Sequence, residues 1–504
     1  MTPHRLSRGP VLAAAVMAVA ALTAPLVIAA PTEARSAAPE RVTAKKVGAN
    51  DFNGDGIRDL AVAAPGGTAG KRAKAGLVAV LYGSKTKPLT AHRQVVHQDS
   101  PGIPGTAASG DQFGAALASG DLDRDGHADL LVGAFKDSLG AGQKEAGSLS
   151  VIWGGPKGLS GGATLLNGSE SHALLGKSLA VADFDGDGDP DVATTSGQSE
   201  LRLLSGPFTR NGSPTASTNI VNDGERITDL AAGDLNRDGR TDLVAARYNP
   251  DLYEHPETAV WTGTTRGLAP VARVLRKDVN DRTTPGGDNV DVGDVNRDGY
   301  ADIVVGRDDF RETDMGAGKG GRIVFFPGSK NGPVVSKVVV LNQGSKGVPG
   351  TAEYGDYFGS GVSVSDVDGD GYADIATGLP GKKVGTVREA GAVVVLRGGA
   401  TGPRSTGAKL FTQSTTGVPG TSETKDTFGF ATALVDLNGD ARPELVVGGT
   451  GEDQGAGSVW VLKGTKSGPT ARGATSFGHG SLGTSAAPLS ALGFSFSNAN
   501  NYRY

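Results

Sequence analysis

The chain lacks cysteine altogether and is poor in aromatic residues, which make up 5% of its 504 residues. The absence of cysteine excludes a disulfide scaffold, thiolate zinc sites, a cysteine nucleophile and a lipid anchor on cysteine. The net charge of −5 lacks the basic excess typical of nucleic-acid-binding proteins, so we expect no nucleic acid partner.

Glycine is the residue that the chain has in excess. There are 79 glycines, a share more than twice the usual ~7%, and they show no G-X-Y period. This composition excludes collagen and disfavours a helical protein, because glycine destabilises helix interiors. It favours a turn-rich protein built mostly of β-strands.

The segment 1–30 has the layout of a secretory signal peptide. A basic stretch with Arg5 and Arg8 precedes an apolar run over 11–30, and small residues allow cleavage somewhere in 29–38. The alternative is an uncleaved membrane anchor, since such a run of about 20 residues could span a bilayer. The many alanines disfavour that alternative. No later run is long enough to span, so we predict a secreted, extracellular protein with no membrane span after cleavage.

One acidic nine-residue pattern recurs seven times, at intervals of 51 to 72 residues. Self-similarity at such a period predicts a repeat architecture. The copies are DFNGDGIRD (51–59), DLDRDGHAD (121–129), DFDGDGDPD (183–191), DLNRDGRTD (234–242), DVNRDGYAD (294–302), DVDGDGYAD (366–374) and DLNGDARPE (436–444).

The residues around each acidic loop repeat as well. A short segment of small and apolar residues precedes the loop, as in 428–434, and an apolar run follows it, as in 445–448. A third segment closes each unit on a glycine, as in 457–464. Three strands with room for a fourth in each of seven units predict a seven-bladed β-propeller of four-stranded antiparallel blades.

Two short motifs tie these units to a known family. Phenylalanine-glycine pairs precede three of the loops, and parts of a Gly-Ala-Pro motif follow two of them. They are Phe113-Gly114, Phe358-Gly359 and Phe428-Gly429, with Ala64-Pro65 and Gly133-Ala134. The chain therefore resembles the FG-GAP repeat family, the seven-bladed propeller of integrin alpha subunits and of many secreted bacterial proteins. The resemblance covers about residues 42–470, although repeats 3 to 5 depart from both motifs. It implies an all-β propeller with calcium-binding loops, here over residues 42–484.

The chemistry of the loop also predicts calcium. Acids or Asn at positions 1, 3 and 5 can face one concavity, Gly at position 6 allows a sharp turn, a backbone carbonyl is offered at position 7, and an acid at position 9 closes the shell. Ca²⁺ prefers such an all-oxygen cage. One loop alone could be a solvated turn, whereas seven in phase predict Ca²⁺ sites. The predicted ligands are Asp51, Asn53, Asp55, Ile57 and Asp59; Asp121, Asp123, Asp125, His127 and Asp129; Asp183, Asp185, Asp187, Asp189 and Asp191; Asp234, Asn236, Asp238, Arg240 and Asp242; Asp294, Asn296, Asp298, Tyr300 and Asp302; Asp366, Asp368, Asp370, Tyr372 and Asp374; and Asp436, Asn438, Asp440, Arg442 and Glu444.

The seventh loop is predicted to be the weakest metal site. Ala441 replaces the glycine of position 6, and Glu444 replaces the closing aspartate. A residue with a Cβ forced to positive φ costs about 1 kcal/mol. We therefore expect about six occupied sites, and the loops with four acids at positions 1, 3, 5 and 9, which begin at 121, 183 and 366, should be among the tightest.

The C-terminal tail, residues 485–504, is a possible ring-closing strand. Leu492, Phe494 and Phe496 alternate as one buried strand face requires, whereas the N-terminal segment carries Lys45 and Lys46. We expect the tail to pair with the first blade. The alternative is an unstructured terminus.

The sequence shows no catalytic constellation, and we expect a binding protein rather than an enzyme. None of the seven histidines belongs to an HExxH or G-x-S-x-G motif, and His172 has no acid partner assignable from sequence. Trp153, Trp261 and Trp460 are interpreted as core between blades. The alternatives are an extracellular hydrolase or lyase, or a wall-associated structural protein.

The expected partner is a protein or carbohydrate, bound on the face opposite the metal loops by a monomeric propeller. That face carries the connections between second and third strands and the links between blades, and loops on rigid scaffolds commonly carry recognition. Its candidate residues are Lys71, Arg72, Lys74, Phe135, Lys136, Arg307 to Arg311, and the G-[IV]-P-G-T segments at 102–106, 347–351 and 417–421.

Overall fold

The fold is known from a computed structural model that describes residues 49–140, 142–197, 199–222, 224–248, 256–276, 286–308 and 319–497. The predicted signal peptide, 1–30, lies outside the described residues. Within them, no helix is both long enough and apolar enough to cross a membrane.

The described strands form seven antiparallel sheets arranged as the blades of a propeller, so the predicted fold class is confirmed. Each of the second to seventh blades has four strands that pair in chain order, apart from a small extra hairpin in the fourth blade. The first four blades are β1 (Leu60–Ala64), β2 (Leu77–Leu81) and β3 (Arg93–Val96); β4 (Ala116–Gly120), β5 (Asp129–Ala134), β6 (Ser148–Ile152) and β7 (Gly162–Asn167); β8 (Leu179–Ala182), β9 (Asp191–Ser196), β10 (Glu200–Ser205) and β11 (Ala216–Ile220); and β12 (Arg226–Gly233), β13 (Asp242–Tyr248), β14 (Pro256–Trp261) and β17 (Arg273–Val274), with the hairpin β15 (Gly263–Thr264) and β16 (Gly267–Leu268).

The last three blades follow the same order, and a few short helical turns lie in the connections. The strands are β18 (Asn289–Gly293), β19 (Asp302–Arg307), β20 (Arg322–Phe326) and β21 (Val339–Leu341); β22 (Ser360–Ser365), β23 (Asp374–Leu379), β24 (Ala392–Arg397) and β25 (Arg404–Phe411); and β26 (Phe428–Val435), β27 (Glu444–Gly449), β28 (Ser458–Lys463) and β29 (Thr470–Gly478). The helical turns are the 3-10 segments Leu89–Ala91 and Val335–Lys337, with α1 (Glu452–Gly455) and α2 (His479–Leu482).

The hydrophobic core lies between the blades rather than within one of them. One cluster, for example, joins Val393 and Val395 of the sixth blade to Val447 and Trp460 of the seventh. All three tryptophans are at most 3% exposed, which confirms their interpretation as core. A four-stranded sheet cannot cover both its faces alone, so neighbouring blades stabilise each other.

The FG motif is the joint between consecutive blades. The Phe428 amide donates to the Ala390 carbonyl of the preceding blade (3.1 Å), and Gly429 follows with φ +92°. A Cβ at Gly429 would lie 2.2 Å from the Ala392 carbonyl oxygen, so only glycine fits there. Leu175-Gly176 makes the same joint in the third blade, where the sequence shows no FG.

The first blade takes its innermost strand from the C-terminal tail. The Ala63 amide donates to the Ser495 carbonyl (2.9 Å), the Ser497 amide donates to the Ala61 carbonyl (3.1 Å), and Phe496 pairs antiparallel with Val62. The amide of Leu492 donates to the seventh blade at the FG position. The segment predicted to close the ring therefore lies beside β1, and the ring of blades includes residues up to 497.

Candidate metal centres

Each acidic loop leads into the second strand of its blade, and successive loops contact each other. In six blades the residue at position 9 is the first residue of that strand. The carbonyl of position 1 accepts a hydrogen bond from the position 8 amide of the next loop, as in Asp294 with Ala373 (3.0 Å). Direct contacts of this kind link loops 1 and 2, 3 and 4, 4 and 5, and 5 and 6. The loops therefore share one face of the propeller.

The acid of position 1 shapes the loop by accepting backbone hydrogen bonds. In all seven loops its Oδ2 accepts the position 6 amide at 2.8 to 3.1 Å, from Gly56 with Asp51 to Ala441 with Asp436. The glycines at position 6 have φ between +86° and +93°, and Ala441 has φ +62°. The strain predicted for Ala441 is present, while its hydrogen bond is kept.

Position 4 is also left-handed, which the sequence reading missed. Glycine fills it in four loops, but Arg124, Arg237 and Arg297 adopt φ between +57° and +61° there. Two of these arginines reach the next loop. The Arg124 guanidinium lies 2.6 Å from Asp189 Oδ1, and Arg297 donates to the Asp370 carbonyl at 3.0 Å.

The acid of position 9 clamps its loop to the connection between the third and fourth strands. In the second loop, Asp129 accepts the Leu122 amide on Oδ2 (2.8 Å) and the Gly154 amide on Oδ1 (2.8 Å). All seven closing acids accept the same two kinds of backbone amide and are nearly or fully buried. Glu444 reaches the same partners as the shorter aspartates. This structural role was not foreseen from sequence.

Burial raises the pKa of every closing acid. Loss of water around the carboxylate is the main cause, the two backbone amides act against it, and the other acids of the loop add to it. The pKa reaches about 8 for Asp59 and Asp129 and about 7 for Asp191 and Glu444. A bound cation would act in the opposite direction and favour the charged form.

Three loops bring together carboxylate oxygens that fit one divalent cation. Acids of positions 1, 3 and 9 have oxygens within 4.8 Å of one another in the second, third and sixth loops. In the first loop, Asp51 Oδ1 is buried and accepts no hydrogen bond within the described structure. Such an orphaned oxygen suits metal coordination, and an all-oxygen donor set suits Ca²⁺. These three loops are the ones predicted from sequence to bind calcium most tightly. Coordination of the ion by the complete predicted ligand set of each loop stays a prediction.

Arginines from outside the loops lie on two of these three acidic groups. Arg210 pairs with Asp123 of the second loop at 2.6 Å and also contacts Asp125. Arg397 contacts Asp368 of the sixth loop and lies 3.0 Å from Asp374. A guanidinium at these carboxylates supplies positive charge that a metal ion would otherwise supply.

The side chains at position 7 take different roles, while the backbone is constant. In every loop the position 7 amide donates to Oδ1 of position 5, as His127 does to Asp125 (3.0 Å). The His127 ring also approaches Asp125 at 2.9 Å. Coordination by the position 7 carbonyl stays a prediction.

The histidine environments give one correction. His172 Nδ1 lies 3.5 Å from Glu145 Oε2, so it does have an acidic neighbour that the sequence could not assign. Both side chains are exposed, by 64% and 44%, which is typical of a solvated pair rather than an active site. His479 is buried, and its ring contacts the Thr484 hydroxyl and the Ala456 carbonyl.

The face opposite the loops holds the predicted partner residues in two different settings. Lys71, Arg72 and Lys74 are exposed. Phe135, Arg307 and Asp308 are buried, contrary to their selection as contact residues. Arg307 is the last residue of the buried strand β19, and Phe135 and Asp308 directly follow β5 and β19. Residues 309–311 of the same proposed surface lie outside the described residues.

The repeat units match known sequence patterns in most blades. The FG-GAP repeat pattern matches residues 47–81, 113–152, 358–396 and 428–462, and an FG-GAP-like repeat pattern matches 183–245. The second match covers repeats where the short motifs are absent.

Two kinds of curated relative are similar to part of the chain. Over 149 residues, 29% of the chain, it is 36% identical to the phosphatidylinositol-glycan-specific phospholipase D of Rattus norvegicus, of which the match covers 17%. Over 155 residues, 30% of the chain, it is 32% identical to integrin alpha-PS3 of Drosophila melanogaster, of which the match covers 13%. The chain thus matches less than a fifth of the length of each relative.

A solved structure of the exotype rhamnogalacturonan lyase YesX aligns with a TM-score of 0.42 at 14% identity, covering 85% of this chain and 73% of that one. The repeat matches and the seven blades show that the chain carries FG-GAP repeats on a β-propeller, and part of the chain is similar to integrin alpha subunits.

Proposed function

We propose that the protein is a secreted, calcium-binding β-propeller that holds a protein or glycan ligand on the face opposite its acidic loops. The calcium part is carried by one observation: the second, third and sixth loops each gather three carboxylates within 4.8 Å, at the same three loop positions. Three negative charges so close repel each other unless positive charge lies among them. Arg210 and Arg397 supply one positive charge each in the second and sixth loops, which leaves a net negative charge that a divalent cation would offset.

Calcium would supply charge and rigidity to the loops. The acid of position 1 already orders the loop backbone, and the acid of position 9 ties it to the neighbouring connection. An ion held by both would fasten the loop to two strands of its blade, in a protein without disulfides. About six ions are expected per chain, with the seventh loop weakest.

Elemental analysis of the processed protein after equilibration with Ca²⁺ tests this proposal. We expect the acidic loops to contribute about six ions per chain to the count, and a loss of about one ion for Asp183→Asn, which removes a carboxylate from the third loop. Arg472→Glu, at an exposed position on the outermost strand of the seventh blade, is the control and should leave the count unchanged. A protein that retains no calcium would refute the proposal.

The ligand-binding part is supported by the exposed residues of the opposite face. Lys71 and Lys74 are exposed on the connection between β1 and β2. Tyr354, 62% exposed, lies on the link before β22 with the Lys319 ammonium 5.4 Å from its ring centre. Exposed aromatic and basic side chains on adjacent loops suit a protein or glycan surface.

Binding to a glycan array, with pull-down from culture surfaces alongside it, tests this second part. The double variant Lys71→Glu/Lys74→Glu should lose captured ligand while its melting temperature with calcium stays unchanged. Lys85→Glu/Lys87→Glu makes the same change of charge on the loop face and should bind as the parent does. Equal loss in both variants would contradict the assignment of the face.

A further inference from the structure

Three blades carry an equivalent set of polar side chains on the face opposite the acidic loops. Each set combines a Gln and an Asp from the link before the blade with one residue from the connection between its second and third strands. The Gln and the last residue are 39 positions apart in all three sets. We call them the second-blade triad (Gln98, Asp111, Asp137), the sixth-blade triad (Gln343, Asp356, Lys382) and the seventh-blade triad (Gln413, Asp426, Glu452).

In the sixth-blade triad, an ammonium group satisfies every oxygen that faces it. Lys382 Nζ donates to Asp356 Oδ2 at 2.8 Å, to Gln343 Oε1 at 3.2 Å and to the Thr351 carbonyl. The other end of the Gln343 amide donates to the Pro349 carbonyl at 3.1 Å. The lysine is a buried cation in an all-oxygen cage.

The second-blade triad has an acid where the lysine would be. Gln98, 3% exposed, turns its Nε2 to Asp137 Oδ2 (3.0 Å), and its Oε1 then accepts no hydrogen bond within the described structure. Asp111 and Asp137 are also buried. Arg72, the nearby cation, pairs with Asp99 at 2.8 Å.

The seventh-blade triad repeats this arrangement independently. Gln413, 2% exposed, donates from Nε2 to Glu452 Oε2 at 2.9 Å, and its Oε1 is likewise buried without a donor. Asp426 is 3% exposed. Buried acceptors without a partner are rare in native structures, and here the same atom of the same triad position is orphaned twice.

The net charge of the triads indicates which kind of ligand the second-blade and seventh-blade triads lack. The sixth-blade triad, with one carboxylate and one ammonium, is neutral. Exchanging lysine for an acid lowers the charge by two, so one divalent cation restores neutrality. We propose that the second-blade and seventh-blade triads each bind a divalent cation of the oxygen-preferring class, represented by Ca²⁺, at the place that the Lys382 ammonium fills in the sixth.

The ligands follow from the sixth-blade geometry. They are the Gln Oε1, after the amide turns as in Gln343, both carboxylates, and the carbonyl of Thr106 or Thr421, the equivalents of Thr351 in the G-[IV]-P-G-T segments. After turning, the amide would lose its hydrogen bond to the acid, and its oxygen would coordinate the metal ion instead. These two sites differ from the acidic loops in donors and in face.

The test is the calcium count of the full processed chain, measured as a difference from the parent. Asp137→Lys and Glu452→Lys recreate the sixth-blade triad, and each should lower the count by one ion. The reverse change, Lys382→Asp, should raise it by one. Asp453→Lys makes the same change of charge beside Glu452 at an exposed position and should leave the count unchanged.

An unchanged count in folded Asp137→Lys and Glu452→Lys, or an equal fall in Asp453→Lys, would overturn the proposal. Gln98→Met and Gln413→Met keep all charges and serve if a lysine variant fails to fold. Each should weaken calcium binding at its own triad by about tenfold, and unchanged titrations in both would also overturn the proposal. The loop variant Asp183→Asn reports separately on the acidic loops, so failure at one class of site is distinguishable from failure at the other.

Discussion

The third and seventh acidic loops have the same backbone but different side chains where a cation would bind. In the third loop, Asp183, Asp185 and Asp191 place oxygens within 4.8 Å of one another. In the seventh loop, Asn438 donates from Nδ2 to Glu444 Oε1 at 2.6 Å. The side-chain amide therefore takes up an oxygen of the closing acid that could otherwise face a cation.

The two loops therefore separate shape from metal affinity. In both loops the backbone amide of position 6 donates to Oδ2 of position 1, at 2.9 Å from Gly188 to Asp183 and at 2.8 Å from Ala441 to Asp436. Backbone hydrogen bonds to the acids of positions 1 and 9 are enough to shape the loop. The number of carboxylates then determines how strongly the loop attracts a cation.

The largest expected effect is that of calcium removal, and its direction with pH follows from the closing acids. Burial raises the pKa of Asp191 and Glu444 to about 7 in the folded protein, above their ordinary values. Folding then favours the protonated acid, so the stability of metal-free protein is lost as pH rises through about 7. We expect metal-free protein to melt several degrees lower at about pH 8 than at about pH 5.

Calcium should reverse that order, because it binds the deprotonated carboxylates. Thermal melts at both pH values, with calcium-stripped and calcium-saturated protein, check the prediction. A metal-free protein whose melting temperature rises with pH in this range would contradict it. An unchanged melt on metal removal would contradict the stabilising role of calcium altogether.

The next effect concerns the clamp made by the closing acid, which should be similar in the two loops. Asp191→Asn and Glu444→Gln each replace one acceptor oxygen with an NH₂ group, leaving a buried backbone amide unpaired. We expect each to lower the free energy of unfolding by about 1–3 kcal/mol, even in calcium-free protein. Denaturant unfolding measures this. A loss confined to the third loop would show that the clamp in the seventh contributes nothing.

Exchanging the residue types at position 3 between the third and seventh loops should shift their calcium affinities in opposite directions. Asp185→Asn removes a carboxylate from the third loop, and Asn438→Asp adds one to the seventh while freeing Glu444 from the amide. We expect about a tenfold loss and about a tenfold gain in calcium affinity, equivalent to about 1.4 kcal/mol each. Calorimetric titration checks both. Equal, tight binding by all seven parental loops would remove the distinction between them.

The smallest effect is that of backbone strain at position 6. Ala441→Gly should stabilise the protein by up to about 1 kcal/mol, because it relieves an alanine at positive φ. Gly188→Ala is the matched reverse change, since a Cβ there would contact nothing within 4 Å and would add only the strain. Equal and opposite shifts in the denaturation midpoint are expected. A destabilising Ala441→Gly would place the difference between the loops elsewhere.

Repetition made the fold, the seven loops and their shared face predictable from sequence. The missed features depend on residues that only the folded ring brings together. Arg397 lies next to Asp374 because β23 and β24 pair antiparallel, which places the last residue of β24 beside the first residue of β23. Arg210 reaches Asp123 from the next blade. The FG pattern did not detect Leu175-Gly176, because leucine can pack at the position where the family has phenylalanine. The burial of Phe135 was likewise missed, because it results from the packing of its blade and not from the loop in which the residue lies.

The inner strand of the first blade, formed by residues around 494–497, imposes an order on folding. A chain that emerges from its N-terminus can assemble the later blades one by one, but β1 must wait for residues 494–497 to arrive. Until then, the backbone edge of β1 stays open to any extended peptide, including that of another copy. Chains interrupted before this segment are therefore expected to aggregate rather than to persist as shorter propellers.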